Sequence, residues 1–479
     1  MIELKIDPRE KHDISPYLYM QFMEPLGMFD GSMDAGWDFW ENRWKPFLID
    51  KVRELAPGMV RFGGCLASYY HWREGVGPRD KRVPMLNQDW ESMYHNQMGT
   101  AEVMDFCRQV NAEPLFVVNF ESDGRMDWAY PSCGGDRFGT AQEAAEWVAY
   151  CNHADNPERL AHGVEQPYNI RWWQIGNETS YTKRGHSSDY NVEATKRFVE
   201  AMRDADPELK LIGWGDVGEK WRPDDTWTRK MAQVDGVDAL AFHHHFDSGL
   251  PDSPLTGTEY RNDPEKTWLH LMHAYQSLEA HIAAMRADCG GKRLAITEGH
   301  YALPGRNRNE VLSTWGAGVS YARCLNTIHR NSDIIDIATM ADFFGTVWQV
   351  NAILIAGRKK GMFAYFQPVG TVMSLFGRYQ GKKALDISYA GSIDAVASRT
   401  GKKVYLHIAN TDMNASQEIR LDLGGETIES VKVRGVAEDI LTEITPCNPE
   451  VFALREFAAD GDRITLPKAA VAAVEITLK

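Results

Sequence analysis

The sequence predicts an α/β protein, a (β/α)8 TIM barrel followed by a C-terminal antiparallel β-sandwich. Strand-like and helix-like runs alternate eight times between about residues 17 and 356. The strand-like runs are continuously apolar, as parallel strands covered on both faces require. After about residue 380 the period changes to two, in short segments separated by turn-rich pieces such as "RTGKK" and "AADGD".

The units can be read in order. "YLYMQFM" precedes "WKPFLIDKVREL", where Pro46 suits a first helical turn. "GMVRFGG" precedes the helical "TAEVMDFCRQV". "EPLFVVNF" precedes a helix opened by the capping box Thr140-x-x-Glu143, with Trp147, Val148 and Cys151 at helical spacing. "IRWWQIGNE" precedes a helix near 190–205, and "LKLIGWGD" a short one near 227–234. The last three strands are "DALAFHHH", "RLAITEGH" and "IDIATMAD", with helices expected at 264–286, 311–330 and 346–356. Leu312, Trp315, Val319 and Ala322 give the second of these an apolar stripe. The expected division is a catalytic barrel over 15–380 and a sandwich over 381–479. Strand 1–14 joins the sandwich, its Ile2, Leu4 and Ile6 sharing one face.

Composition narrows the function. Apolar residues make up 43% of the 479 residues and charged residues 25%, as in soluble globular proteins. The net charge of −15 repels phosphate backbones, so no nucleic-acid partner is expected. "GRKKG" at 357–361 reads as a solvated turn. No run is long and apolar enough for a signal peptide or membrane span. The seven cysteines, Cys133 among them, are odd in number, scattered and without a CxxC pair, which points to a reducing cytoplasm.

Barrel active sites gather at the carboxyl ends of the strands. There the sequence places Glu24, Arg61, Asn177, Glu178, Trp214, His243, His245, Glu298 and Asp342. Glu178 and Glu298 each follow an apolar strand, the fourth and the seventh, so they can face one another across the mouth. Paired carboxylates suit glycoside hydrolysis, one attacking the anomeric carbon while the other protonates the leaving oxygen. A single rim glutamate is commonly just solvated or salt-bridged; two in matched units point to catalysis.

"ISPYLYMQFMEPLG", "RFGGCLASYYHWREGVGP", "AAEWVAYCN", "WWQIGNE" and "LPKAAVAAVEITL" together resemble the α-L-arabinofuranosidases of glycoside hydrolase family 51. The resemblance implies a retaining enzyme with Glu178 as acid/base and Glu298 as nucleophile. It implies that Asn177 bonds the sugar's 2-hydroxyl and that Glu24 binds the glycone. It also implies barrel-plus-sandwich architecture, no cofactor and a homo-oligomer, often a hexamer. Three positions depart from the common pattern. Cys65 stands where many members have Asn, His245 where a Tyr is usual, and Asp342 where Gln or Asn is common. The last two alter the surroundings of the nucleophile and leave the sugar's identity open.

His243 and His245 share a strand face and are expected in the sugar site. With Asp247 they could seed a metal site, but adjacent strand residues seldom complete a shell, so none is expected. Trp72, Trp173 and Trp214 offer flat faces for sugar, Trp72 and Trp214 being retained as candidate contacts, although buried tryptophans are commonly core. Cys65 is expected near substrate but not as a nucleophile. The reading is thus an exo-acting arabinofuranosidase in the cytoplasm, acting on oligosaccharides or glycosides. Its rivals are a β-D-xylosidase, β-glucanase or galactofuranosidase with the same machinery, a non-catalytic carbohydrate-binding protein, and a metal-dependent hydrolase.

Overall fold

The computed structural model describes residues 1–129, 136–181, 186–218, 224–305, 307–357 and 361–479; Cys133 and residues 358–360 of "GRKKG" lie outside them. Eight parallel strands form the central sheet: Gln21–Met23, Met59–Phe62, Glu113–Val118, Trp172–Ile175, Lys210–Trp214, Ala239–Phe246, Arg293–Tyr301 and Ile335–Ala338. These are barrel strands one to eight below. The sheet closes where Tyr17 bridges Ile337, with the Met20 amide donating to the Ala338 carbonyl at 2.8 Å.

Alternation along the strands fills two cores. Ala239, Ala241, Ala295, Ile337, Ile212 and Trp214 turn inward and plug the barrel. Leu240, Phe242, Leu294 and Ile296 turn outward beneath the helices. The helices lie close to expectation: Pro46–Leu55, Thr100–Val110, Ala141–Asn152, Ser188–Ala205, Trp227–Met231 and Trp315–Arg330. The expected 264–286 helix is two, Pro264–His273 and Tyr275–Asp288. Thr140 caps its helix by accepting from the Glu143 amide at 3.1 Å, but the Glu143 side chain bonds His71 at 2.7 Å, so only half the capping box forms.

The eighth unit needs a correction. Residues expected as helix at 346–356 form the strand Asn351–Ala356, in a three-stranded sheet with Asp342–Gly345 and Phe363–Phe366. The run "NAILIA" is short and apolar, and periodicity alone does not separate a strand from a helix there. The barrel's last helix is Pro368–Arg378, opened by a proline in its first turn.

Beyond it, a five-stranded and a six-stranded sheet enclose a separate apolar core that includes Leu4, Leu406, Leu421 and Val474. Strand Ile2–Ile6, alternately buried and exposed, pairs in parallel with Gln417–Asp422; the other pairings are antiparallel. No described helix is long and apolar enough to cross a membrane.

Candidate active site

A cleft of about 670 Å³ opens at the carboxyl ends of the barrel strands, lined in part by Glu24, Cys65, Glu178, His245, Glu298 and Asp342. Residues from strands or loops far apart in sequence therefore meet at one place.

Strand seven delivers Glu298 through an irregularity. Pairing with strand six runs Phe242 to Ile296, then skips Thr297, so His243 stands beside Glu298. Strict alternation from the inward Ala295 would turn Glu298 out beneath the helices. The extra residue resets the phase, as a bulge does. Thr297 and Glu298 thus both address the mouth: Thr297 Oγ1 lies 3.1 Å from His243 Nε2, and Glu298 Oε2 lies 3.5 Å from His243 Nδ1. His300, two residues on, faces Asp342 with Nε2 3.6 Å from its Oδ1.

Strand two supplies the countercharge. Arg61, fully buried, donates to Glu298 Oε1 at 2.8 Å, to Gln174 Oε1 at 3.0 Å and to Asn177 Oδ1 at 2.6 Å. Such a fork fixes the carboxylate's orientation as well as holding its charge.

Glu178 is held differently. The chain leaves strand four through Gly176 (φ 76°), where an added Cβ would lie 2.5 Å from Asp123 Oδ1, so only glycine fits. Glu178 then adopts φ 54°, an uncommon state for a non-glycine residue and one often found at functional sites. The Asn177 amide donates to Asp123 Oδ1 at 3.1 Å and anchors the turn. Glu178 Oε1 lies 2.9 Å from His243 Nδ1, and Oε2 lies 3.8 Å from Arg125. The donor atoms of Glu178, His243, His245 and Glu298 all fall within 4.8 Å of one another.

The neighbouring acids feel this crowding. Burial raises Glu24 and Asp342 well above the usual carboxylate range, and the charge of Glu298 adds to both shifts. Glu24 Oε1 accepts from Trp90 Nε1 at 2.8 Å and from the Leu66 amide at 3.2 Å. Burial also lifts Asp123, to about 7, against the pull of Arg125. Burial, then Asp89, Glu24 and Glu178, push the Cys65 thiol well up, leaving it a neutral S–H 3.9 Å from Glu178 Oε2.

Two expected sugar contacts are displaced. Trp72 is carried outward by the turn Trp72–Gly75, stacks on Trp147 at 6.2 Å and donates to the Glu143 carbonyl. Trp214 faces the barrel interior, donates to Ser180 Oγ at 2.8 Å and meets the His243 ring edge-on at 4.7 Å, bracing it from below. Trp173 is also core. Asn177 lies just under the cleft; its buried Nδ2 has no partner among the described residues. His245 reaches the cleft, its Nε2 3.9 Å from Glu298 Oε2 and its ring 4.4 Å from that of His300.

The aromatic walls are instead Trp90, Trp128, Tyr181 and Trp348, which sequence reading missed, along with Arg125 and His300. His300 was findable, two residues beyond Glu298 on one strand face. The others sit on loops or, for Trp128, on the four-residue helix Met126–Ala129, none of which carries a periodic signal.

Comparisons with known proteins bear on the family and the fold. Residues 51–251 match the family model of the α-L-arabinofuranosidase 1 domain, and 300–469 that of the α-L-arabinofuranosidase C-terminal domain. A probable α-L-arabinofuranosidase C of Aspergillus clavatus is 32% identical over 292 residues, 58% of this chain and 50% of that protein. An intracellular exo-α-(1→5)-L-arabinofuranosidase of Acetivibrio thermocellus is 29% identical over 246 residues, 49% of this chain and 46% of that protein. The chain spans about half the length of the curated relatives it matches. Among solved structures, the family 51 arabinofuranosidase of Xanthomonas axonopodis pv. citri superposes with a TM-score of 0.81 at 20% identity, covering 100% of both chains. The arabinose complex of the Thermotoga maritima α-L-arabinofuranosidase gives 0.76 at 22%, again covering 100% of both. With the α-L-arabinofuranosidase 1 domain and the α-L-arabinofuranosidase C-terminal domain both matched, in that order, the chain belongs to the family that these two models describe, and it shares its fold with the solved family 51 enzymes.

Proposed function

We propose that this chain is a retaining, exo-acting glycoside hydrolase that releases terminal α-L-arabinofuranosyl groups from oligosaccharides. The observation that carries the reading is the carboxylate pair, whose facing oxygens lie within 4.8 Å. Double displacement uses a separation of roughly 5 Å, whereas inversion needs roughly 6.5–9.5 Å to admit a water. In the first step Glu298 Oε2 attacks the anomeric carbon. The bond to the aglycone breaks as Glu178 gives its proton to the departing oxygen. In the second step Glu178 takes a proton from water, the water oxygen attacks the anomeric carbon, and the ester to Glu298 breaks.

The surroundings suit these roles. Arg61 occupies Oε1 of Glu298, which leaves Oε2 to attack. His243 shares a hydrogen bond with Glu178, so a proton has a place to reside there. Exo action is supported by the name of the Acetivibrio thermocellus relative, an exo-α-(1→5)-L-arabinofuranosidase. Asn177 Nδ2 and Glu24 are the proposed glycone contacts. A catalytic barrel over 15–380 and a sandwich over 381–479, tied by strand 1–14, belong to the same proposal, as do a cytoplasmic home and a homo-oligomer. The pairing of Ile2–Ile6 with Gln417–Asp422 supports the first, and the intracellular relative the second.

A second reading keeps the machinery and changes the glycone. It is motivated by His245, His300 and Asp342, which set an imidazole-rich wall beside Glu298. A panel of aryl α-L-arabinofuranosides, β-D-xylosides, β-D-glucosides and galactofuranosides decides between them, with the product anomer followed by NMR. Preferred turnover of the arabinofuranoside with retention is expected. Preference for another sugar transfers the assignment to it, and a first product of inverted configuration ends the double-displacement reading.

A further inference from the structure

Two imidazole nitrogens and two carboxylate oxygens converge in the cleft, from Glu178, His243, His245 and Glu298, all within 4.8 Å of one another. The shell is not drawn from adjacent residues of one strand alone: strand six gives the two histidines, while strand seven and the turn after strand four each add a carboxylate. A tetrahedral cation bound at roughly 2.0–2.2 Å sets its ligand atoms roughly 3.2–3.6 Å apart. Here His243 Nδ1 lies 2.9 Å from Glu178 Oε1 and 3.5 Å from Glu298 Oε2, and His245 Nε2 lies 3.9 Å from that same Oε2. These three separations straddle the tetrahedral values and the whole set lies within 4.8 Å, so shifts of roughly 1 Å would close the shell.

The outer partners fit as well. Arg61 engages Oε1 of Glu298 and Arg125 approaches Oε2 of Glu178, so each carboxylate presents its other oxygen to the shared centre. Thr297 Oγ1 can accept from His243 Nε2–H, which leaves the Nδ1 lone pair directed at that centre; such a second contact commonly fixes a ligating histidine. A divalent ion would offset the two carboxylate charges, and the donor types suit zinc and its neighbours.

We infer that Glu178, His243, His245 and Glu298 form a binding site for a divalent transition-metal cation, zinc by donor chemistry, and that metal and glycoside exclude one another. Since a bound cation occupies both carboxylates, it blocks attack and protonation alike. The ion is an inhibitor, not a cofactor. That consequence for turnover rests on the catalytic reading above, but the site itself does not.

Titration calorimetry with zinc chloride, in the absence of sugar, is expected to show one ion per chain. Cobalt(II) is expected to give the intense visible bands of a four-coordinate site. Saturating arabinose should displace either metal, and zinc should raise KM for an aryl arabinofuranoside while leaving kcat unchanged. His245→Gln should weaken zinc binding at least about tenfold. Glu298→Gln, which keeps the side-chain shape, should do the same and guards against a folding defect in the first variant; the melting temperature of each is checked. Lack of binding up to millimolar zinc would overturn the proposal. So would one-to-one binding that survives both substitutions, or zinc and sugar bound independently. The calorimetric and cobalt readings need no turnover, so they stand apart from the fate of the glycosidase reading.

Discussion

Glu298 and Glu178 face one another across a single cleft, yet the chain holds them by different means. Glu298 lies within a nine-residue strand, turned inward by a bulge, and takes a 2.8 Å bond from a guanidinium that Gln174 and Asn177 lock in place. Glu178 sits beyond its strand on left-handed backbone, against a histidine at 2.9 Å and a more distant arginine at 3.8 Å. One wall fixes a charge; the other offers a partner with which a proton can be exchanged. The same residue type acquires two roles from placement alone.

The sharpest way to break this contrast is to remove each carboxyl in turn. Glu298→Ala should lower kcat at least about 10⁴-fold for every leaving group, because no other group there can form the ester. Added azide should restore turnover and give a glycosyl azide of inverted configuration. Glu178→Ala should cost about 10²–10⁴-fold with a poor leaving group and far less with a dinitrophenyl one, since protonation then matters less. Azide should here yield a product of retained configuration. Exchanged azide products would reverse the two roles.

The pair itself was legible in the sequence, and what was not legible has a physical cause. The strands of the barrel are continuous apolar runs, so their order and the carboxylates at their ends could be read directly. The bulge at Thr297 could not, because a one-residue register shift leaves no mark on composition. The eighth unit misled for a related reason: "NAILIA" is too short for its period to discriminate. Tryptophans were the weakest guide. Trp214 ends strand five and Trp72 lies in the loop region after strand two; both were expected at the sugar, but inward packing and a short turn bury them. Trp90 and Trp348 reached the cleft from loops, and Trp128 from a four-residue helix, whose paths are set by tertiary contacts. The strand ends located the pair and the family resemblance implied their roles; only coordinates could give their unequal surroundings.

Arg61→Lys tests whether the fixed wall depends on the fork. A lysine cannot serve Glu298, Gln174 and Asn177 at once with the same geometry. We expect kcat to fall about 10²-fold with little change in KM, and stability to fall by about 2–3 kcal/mol from the disturbed buried pair. Wild-type kcat in this variant would show that Glu298 needs no such support.

Asp123→Asn tests the other wall through stability. Asp123 accepts from Ser68 and from the Asn177 amide behind Glu178, and its pKa lies at about 7 against an ordinary 3.8. Between those values the folded chain holds a proton that the unfolded chain has released. Stability from this site therefore declines as pH rises from about 4 to about 7 and is level above, by up to about 4 kcal/mol in all. Melting temperatures across that window should fall less steeply for the variant. Glu24 and Asp342, both raised, keep some slope in either protein. An unchanged slope would mean that Asp123 is ionised throughout.

Asp342→Asn should have the smallest effect, and the reason separates the two walls once more. Burial and the nearby Glu298 charge favour the protonated form of Asp342, in which it presents an O–H and a carbonyl oxygen. Asparagine presents an N–H and a carbonyl oxygen in almost the same shape. Activity near neutral pH should then fall by less than about tenfold. As pH rises through the elevated pKa, the wild-type side chain becomes a second anion beside Glu298 and repels the attacking charge, so wild-type kcat should decline on the alkaline limb. The variant cannot ionise, and its alkaline limb should move outward. A large loss at neutral pH with an unmoved limb would mean that Asp342 works as an anion, paired with His300 3.6 Å away. The fixed wall would then hold two charges, and Arg61 alone could not account for the orientation of the nucleophile.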